Sequence, residues 1–254
     1  MNKRAYTYVD RTHAIVGNHW MERTWSAFLG NTCSLLQKHC EIEWVAGASS
    51  EFVVSNDDCR LDVMDFGEVT WSEQNSVAGA TLVCLQQRPN LEVCVKTLAY
   101  HENPGIRRRV SVRNRGEEEV IVRRITLEQL PISPDGVTVL TNGFEQAHQA
   151  LDIETSERGI ALNRKDGRGI ITGIDGGGHY SVFGRECECC CLSVLGPKRL
   201  APGKVWKLPA TYILPYSGDL TDTVRTTYAH LLMQLRKQTR ARDHVGEDFF
   251  SSDV

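Results

Sequence analysis

The segment from Tyr100 to Ile132 limits the possible folds of this chain more strongly than its composition does. Apolar and polar residues alternate along Ile106–Arg113 and again along Glu119–Leu130, which is the pattern of β-strands with one buried face. Between them, Asn114-Arg115-Gly116 contains two residues that adopt positive φ at low cost, which predicts a β-hairpin. A slip in the alternation at Arg123-Arg124 predicts a β-bulge. Strands of this length with one charged face are typical of a large antiparallel sheet.

Most of the remaining chain repeats short strand-like runs, each followed by a turn signal after about 8–12 residues. The last element differs, because Asp219–Arg240 carries apolar residues at helical spacing. We therefore predict an all-β fold: a large two-sheet antiparallel β-supersandwich with a C-terminal helix. The predicted domain covers residues 1–240, including the helix over residues 219–240, and a flexible tail covers residues 241–254.

Composition narrows the class of protein and its partners. Hydrophobic residues make up 41% of the 254 residues and charged residues 24%, which is ordinary for a soluble globular chain. The net charge of −3 gives no basic footprint for nucleic acid, and no apolar run has the length of a membrane span or a signal peptide. The nine cysteines are irregularly spaced, unlike the pattern of a secreted disulfide scaffold. We expect a cytoplasmic protein with reduced thiols and with neither a nucleic-acid nor a membrane partner.

A cluster of four cysteines, Cys187 and Cys189–Cys191, is the strongest candidate for metal or redox chemistry. On a strand, alternate side chains point to opposite faces, and those on one face lie about 6–7 Å apart. That spacing is too wide for a shared tetrahedral metal ion, and the chain contains no CxxC pair. We favour a packed strand over a metal or redox site, and we predict no metal site and no cofactor.

The candidate binding residues are aromatic and ionisable side chains near the ends of predicted strands. An exposed Trp20 or Trp25 ring would stack on the C–H faces of a sugar, while nearby charged groups would bind its hydroxyls. His101 and Glu102 precede a Pro-Gly turn, where such a pair can act as acid and base, and His179 follows a glycine-rich stretch. We take these five as carbohydrate-binding candidates and assign no catalytic residue. The alternative is sheet packing for the tryptophans and a solvated strand end for the His-Glu pair.

Four segments follow one another along residues 12–236. They read IVGNHWMERTW, GASSEFVVSNDDCRLDVMDF, PGIRRRVSVRNRGEEEVIV and LAPGKVWKLPATYILPYSGDLTDTVRTTYAHLL. Their patterns N-x-x-x-x-R, S-x-E-F, P-x-I-R-R-x-V-x-V-x-N-x-G and L-x-P-G, in this order, resemble the amino-terminal domain of glycoside hydrolase family 36, the α-galactosidase type. The resemblance implies a β-supersandwich similar to galactose mutarotase. In that family the sandwich precedes a (β/α)₈ barrel, which carries the two catalytic carboxylates.

No segment of this chain matches the barrel, so no residue corresponds to the nucleophile or the acid of the family. We expect either an excised domain or a stand-alone relative, acting as a non-catalytic carbohydrate-associated module. It would bind glycan, shape an active site or mediate oligomerisation, and its partners would be carbohydrate, a catalytic (β/α)₈ barrel domain or further copies of itself. One alternative is a mutarotase- or epimerase-like enzyme that uses His101, Glu102, His179 or Glu128. Another is a scaffold that docks a partner through its C-terminal helix and Phe249-Phe250.

Overall fold

The computed structural model describes residues 4–56, 59–132, 137–141, 144–146, 151–155, 160–174, 178–182 and 189–218. These residues form strands, joined by turns and by two short 3₁₀ turns at Lys38–Cys40 and Val63–Asp65. In chain order the strands are β1 (Tyr6–Val9), β2 (His13–Gly17), β3 (Met21–Ser26), β4 (Thr32–Gln37), β5 (Ile42–Glu43), β6 (Val53–Ser55), β7 (Arg60–Asp62), β8 (Val69–Asn75), β9 (Gly79–Gln87), β10 (Leu91–Tyr100), β11 (Ile106–Asn114), β12 (Val120–Pro131), β13 (Val137–Thr141), β14 (Phe144–Gln146), β15 (Leu151–Thr155), β16 (Ile160–Arg164), β17 (Arg168–Ile174), β18 (Gly178–Val182), β19 (Cys189–Leu200) and β20 (Val205–Ser217).

The strands form three antiparallel sheets. The largest has nine strands in the order β14-β13-β16-β17-β20-β11-β10-β9-β8, the second has six in the order β15-β18-β19-β12-β6-β7, and the third contains β1 to β5 in chain order. The predicted all-β, antiparallel sandwich is therefore confirmed, with its strands divided among three sheets. The predicted helix over residues 219–240 and the tail over residues 241–254 lie outside the described residues.

One continuous hydrophobic core receives side chains from all three sheets. The reason is the strict alternation along the strands, which buries every second residue, as in the β11 sequence from Ile106 to Asn114. The core includes Met21 and Leu35 of the five-stranded sheet, Val93 and Ile106 of the nine-stranded sheet, and Ile125 and Leu130 of the six-stranded sheet. Each of these is at most 2% exposed, so the three sheets share one hydrophobic core.

The predicted hairpin between β11 and β12 is wrong. Strand β11 pairs with β10 and β20 in the nine-stranded sheet, whereas β12 pairs with β19 and β6 in the six-stranded sheet. The connection therefore crosses from one sheet to the other instead of reversing within one sheet. The fully buried Asn114 holds this crossing: its amide donates to the backbone oxygens of Glu118 (2.7 Å) and Leu200 (2.8 Å), and its side-chain oxygen accepts from the Gly116 N–H.

The predicted bulge is confirmed. The pairing of β12 with β19 changes register between Val122 and Arg124, which is the place where the alternation of the sequence slips. Beyond the slip, Ile125 and Leu127 are fully buried, and a second register change between Thr126 and Glu128 precedes the fully buried Leu130. The two irregularities together keep the apolar side chains of this long strand directed at the core. In the described part of the chain, no helix is long and apolar enough to cross a membrane.

Candidate functional site

Four buried charged side chains meet where the three sheets come together. Arg23 lies on β3 of the five-stranded sheet, Arg108 on β11 of the nine-stranded sheet, and Glu128 on β12 of the six-stranded sheet. Glu51 lies in the segment that leads into β6. None of the four residues is more than 2% exposed. Each sheet therefore contributes one charge to the interior, and the connecting segment contributes the fourth.

These four side chains form a closed ring of alternating charge. The Arg23 Nη2 atom donates to Glu51 Oε1 at 2.8 Å and to Glu128 Oε1 at 2.6 Å. Arg108 closes the ring, since its Nη2 lies 2.7 Å from Glu51 Oε2 and its Nη1 lies 3.6 Å from Glu128 Oε2. Two guanidinium groups and two carboxylates give a net charge of zero, which is the condition under which charges are tolerated in a protein interior.

Neutral groups add hydrogen bonds around the ring, although Arg23 Nη1 and Arg108 Nε have no hydrogen-bond partner among the described residues. Arg108 donates to the backbone oxygens of Glu51 (2.8 Å) and Leu127, and Arg23 Nε donates to the Thr32 hydroxyl at 2.9 Å. Glu51 Oε1 accepts from the backbone N–H and hydroxyl of Thr32 and from the Ser49 hydroxyl. The Arg23 guanidinium also lies 5.1 Å from the centre of the Trp25 ring, a cation–π contact.

The two arginines keep the Glu51 carboxylate ionised despite its burial. Burial by itself would raise the pKa of Glu51, but the charges of Arg23 and Arg108 and the Thr32 hydrogen bond outweigh it and lower the pKa to about 2. Burial likewise opposes the charge on Arg23, yet the two carboxylates raise the pKa of its guanidinium. A carboxylate with such a low pKa cannot donate a proton near neutral pH, so Glu51 is unsuited to general acid catalysis.

A cavity beside the ring is too small for a sugar. It is lined by Glu51, Trp25, Trp71 and Gln86, among others. Its volume is about 10 Å³, which is close to the minimum that holds one water molecule. Sites for small organic ligands are usually at least about 300 Å³. The ring therefore acts as an ionic joint between the three sheets, and this cavity beside it has no room for a sugar.

Sequence reasoning did not identify this ring, although three of its four residues belong to the quoted patterns. Arg23 ends the N-x-x-x-x-R pattern, Glu51 belongs to S-x-E-F, and Arg108 is the second arginine of P-x-I-R-R. Arg108 also shares the parity of the apolar residues of its strand, and Arg23 shares that of Met21 and Trp25, which is a local signal of burial for both arginines. Glu128 was a candidate of the mutarotase alternative, and the structure buries it in the ring.

The two tryptophan candidates have different surroundings. Trp25 is 2% exposed and packs against Trp71, with ring centres 5.9 Å apart, so neither face of its ring is accessible to a sugar. This corrects the prediction of an exposed platform at that position, because the inward parity of β3 directs Trp25 into the core. Trp20 precedes β3, is half-buried at the edge of the core, and contacts the His19 ring edge-on.

Trp20 and the pair His101-Glu102 lie at the same end of the sandwich. The buried Asn18 side chain joins the two turns by donating to the backbone oxygens of Tyr100 (3.3 Å) and Asn103 (3.0 Å). Glu102 is exposed, and His101 is half-buried. Their role in carbohydrate binding stays a prediction.

Both ring nitrogens of His101 are engaged by the backbone. The Ala5 N–H donates to Nδ1 at 2.9 Å, and Nε2 lies 3.1 Å from the Ser76 oxygen. This pattern matches a neutral imidazole that carries its proton on Nε2. His101 therefore ties the start of the chain to the turn before β9, which is a structural use of both nitrogens.

The remaining candidates lie in the six-stranded sheet. His179 is on β18, where it pairs with Ser193 of β19, whereas His101 follows β10 of the nine-stranded sheet. Cys189–Cys191 begin β19 and pair with Gln129–Pro131 of β12, which confirms a strand there, while Cys187 lies outside the described residues. In the described ranges, no three His, Cys, Asp or Glu side chains are grouped so that they could hold a metal ion.

The architecture of this chain is similar to that of several solved structures. A family 36 α-galactosidase from Geobacillus stearothermophilus is 10% identical, with a TM-score of 0.61 over 85% of this chain and 41% of that chain. An α-N-acetylgalactosaminidase from Bifidobacterium bifidum is 10% identical, with a TM-score of 0.62 over 90% of this chain and 39% of that chain. A galactose mutarotase-like protein from Lactobacillus casei is 11% identical, with a TM-score of 0.53 over 80% of this chain and 100% of that chain.

These distant similarities show the fold. It is the β-sandwich shared by the amino-terminal region of family 36 α-galactosidases and by galactose mutarotase-like proteins. The chain spans about two-fifths of the length of the α-galactosidase, whereas it aligns with the whole mutarotase-like protein. No protein-family profile matches the sequence, and no curated protein sequence is significantly similar to it.

Proposed function

We propose that this chain is a non-catalytic, carbohydrate-associated β-supersandwich module, which binds glycan or supports a catalytic (β/α)₈ barrel domain. The observation that carries the proposal is the charge ring of Arg23, Glu51, Arg108 and Glu128. In this ring the carboxylates of Glu51 and Glu128 hold three sheets together, and both are buried where a substrate cannot contact them. The sandwich shared with carbohydrate-active enzymes supports the link to sugars.

The proposed support of a barrel domain is based on the share of each neighbouring enzyme that aligns with this chain. The chain aligns with 41% of an α-galactosidase and 39% of an α-N-acetylgalactosaminidase, which is less than half of each enzyme. In the family that the sequence resembles, the remaining part contains the barrel with the catalytic carboxylates. We therefore assign the chemistry to a partner domain and the rigid support to this chain.

The full-length alignment with a mutarotase-like protein favours a second candidate, an enzyme that interconverts sugar anomers. Such chemistry needs an acid and a base on the same bound sugar. Here His101 uses both ring nitrogens for backbone contacts, and Glu128 is buried in the charge ring. The geometry thus favours the module over the enzyme.

Polarimetry and calorimetry on the full chain would separate the two. For the module we expect binding heat with melibiose or raffinose, or a complex with a family 36 barrel domain seen by light scattering. We also expect α-galactose to mutarotate at the rate of buffer alone. Faster anomer interconversion would refute the module in favour of the enzyme. The absence of both sugar binding and a barrel complex would refute the proposal as well.

A further inference from the structure

The outward face of the five-stranded sheet differs in character from the face that packs on the core. Its inward residues, such as Met21, Arg23 and Leu35, are fully buried. The outward residues are half-buried or exposed, with the exception of a glycine, and they combine aromatic rings with carboxylates and hydroxyls. We call them the outer face: Tyr6, Tyr8, Ile15, Gly17, Glu22, Thr24, Ser34, Leu36 and Glu43.

One row of this face is an organised polar–aromatic group. Tyr6, Gly17 and Glu22 face one another on β1, β2 and β3. Because Gly17 has no side chain, the Tyr6 ring reaches over it and its hydroxyl donates to Glu22 Oε2. A methyl group at Gly17 would lie 2.9 Å from that hydroxyl, so this position leaves room for a hydrogen atom alone. Lys38 lies above the row, with Nζ 2.9 Å from the hydroxyl and 4.9 Å from the centre of the Tyr6 ring.

A second aromatic residue extends the row along β1. Tyr8 is two residues from Tyr6 on the same face, which corresponds to about 7 Å, and it is 52% exposed. Its hydroxyl is hydrogen-bonded to the Asp10 carboxylate, which raises the pKa of Tyr8. Asp10 is itself held by the backbone N–H groups of Thr12 and His13. The exposed ring is therefore oriented by a fixed turn.

We propose that the outer face is a binding site for a neutral oligosaccharide of at least two sugar units. This inference rests on the proposed function and gives it a location. The Tyr8 ring would stack on the C–H face of one sugar, and the Tyr6–Glu22–Lys38 group would bind hydroxyls of the next. Glu22 and Lys38 retain 25% and 33% side-chain exposure, so the group offers both an acceptor and a donor to a ligand.

The charges on this face favour a neutral glycan over an anionic one. Glu22, Glu43 and Asp10 place three carboxylates along the outer face and its end, and Lys38 is already shared between Tyr6 and Glu22. A uronate or sulfate group would meet net negative charge there. The Tyr6 hydroxyl also stays protonated, because burial and the bond to Glu22 raise its pKa, so it remains a hydrogen-bond donor.

The test is a calorimetric titration of the full chain with raffinose, in wild type and three variants. Tyr8→Ala removes the stacking ring and Glu22→Gln removes the charged acceptor. Phe28→Ala is the matched control, since Phe28 is an aromatic residue that is 82% exposed and lies outside the outer face. We expect each face variant to weaken raffinose binding about tenfold or more, while Phe28→Ala binds like wild type. Far-UV circular dichroism checks that all variants are folded.

Each result decides the proposal. Equal binding by all variants would overturn the outer face as the site and leave the proposed function standing. No binding of raffinose by the wild type would also overturn the site, and the proposed function would then be judged by melibiose binding and by the barrel complex. Tighter binding of trigalacturonate than of raffinose would refute the assignment of a neutral ligand.

Discussion

Removing one guanidinium from the charge ring would leave two carboxylates with a single counter-charge in the core. Arg108→Met makes this change with little loss of volume, since methionine replaces the apolar stem of arginine. Arg108 forms ion pairs with both carboxylates of the ring and donates hydrogen bonds to two backbone carbonyls, so the carboxylates lose a counter-charge and each carbonyl loses a donor. The comparison is Arg199→Met, which breaks a 2.7 Å pair with Glu119 on the surface, where the two side chains are 69% and 44% exposed.

Burial determines the expected magnitudes. Loss of one partner from a buried ion pair costs about 3–5 kcal/mol, because the other charge stays buried without compensation. An exposed pair is worth about 1 kcal/mol or less. In the double variant Arg108→Met with Glu128→Gln the ring is neutral again, since Arg23 still pairs with Glu51. The double variant should therefore recover about 1 kcal/mol or more relative to the sum of the single variants.

Urea unfolding followed by circular dichroism measures all of these differences. If Arg108→Met is unfolded while the double variant is folded, that result also supports energetic coupling between Arg108 and Glu128. If Arg108→Met costs no more than Arg199→Met, or if the two ring substitutions are additive, the ring does not act as a coupled ionic joint.

Three further predictions concern the interior. The pKa of Glu51 falls from 4.5 to about 2 on folding, so its stabilisation is fully present above about pH 4.5 and is lost as the pH falls through 2. It amounts to about 3 kcal/mol, and the difference in unfolding free energy between wild type and Glu51→Gln should shrink by that amount over this range. Gly79→Ala should cost about 2 kcal/mol or more, since its methyl would lie 1.9 Å from a backbone oxygen of β10, whereas Gly47→Ala meets no atom within 4 Å and should be nearly neutral. Equal melting temperatures for these two variants would contradict the close packing. In native protein, a maleimide should label the exposed Cys33 and spare the buried Cys84, because burial raises the pKa of the Cys84 thiol. Peptide mapping by mass spectrometry measures the labelling, and faster labelling of Cys84 than of Cys33 would contradict this prediction.

Local pattern was enough to predict much of the architecture. The alternation along β11 correctly indicated a strand and its buried face, and the slip at Arg123-Arg124 correctly indicated the bulge of β12. Both follow from the two-residue period of a strand, which is a property of neighbouring residues. The ordered patterns also pointed to the observed fold.

The partners of these strands could not be read in the same way. The two-residue alternation predicts which side chains of a strand share a face. It does not predict which strand pairs with that strand, or whether the following turn stays within one sheet. The segment after β11 therefore looked like a hairpin, whereas Asn114 holds it as a crossing between two sheets. Trp25 shows the same limit, because only the packing of the sheets decides whether its ring meets solvent or the core.

The charge ring shows both what local sequence predicts and what depends on tertiary packing. The sequence by itself determined that Arg108 shares a face with apolar residues, and that strands of this type build a large antiparallel sandwich. Only the tertiary structure brought Arg23, Glu51 and Glu128 to it from positions up to 105 residues apart. The physical reason is that a buried charge is stable only beside a counter-charge. These ion pairs form only when the three sheets pack together.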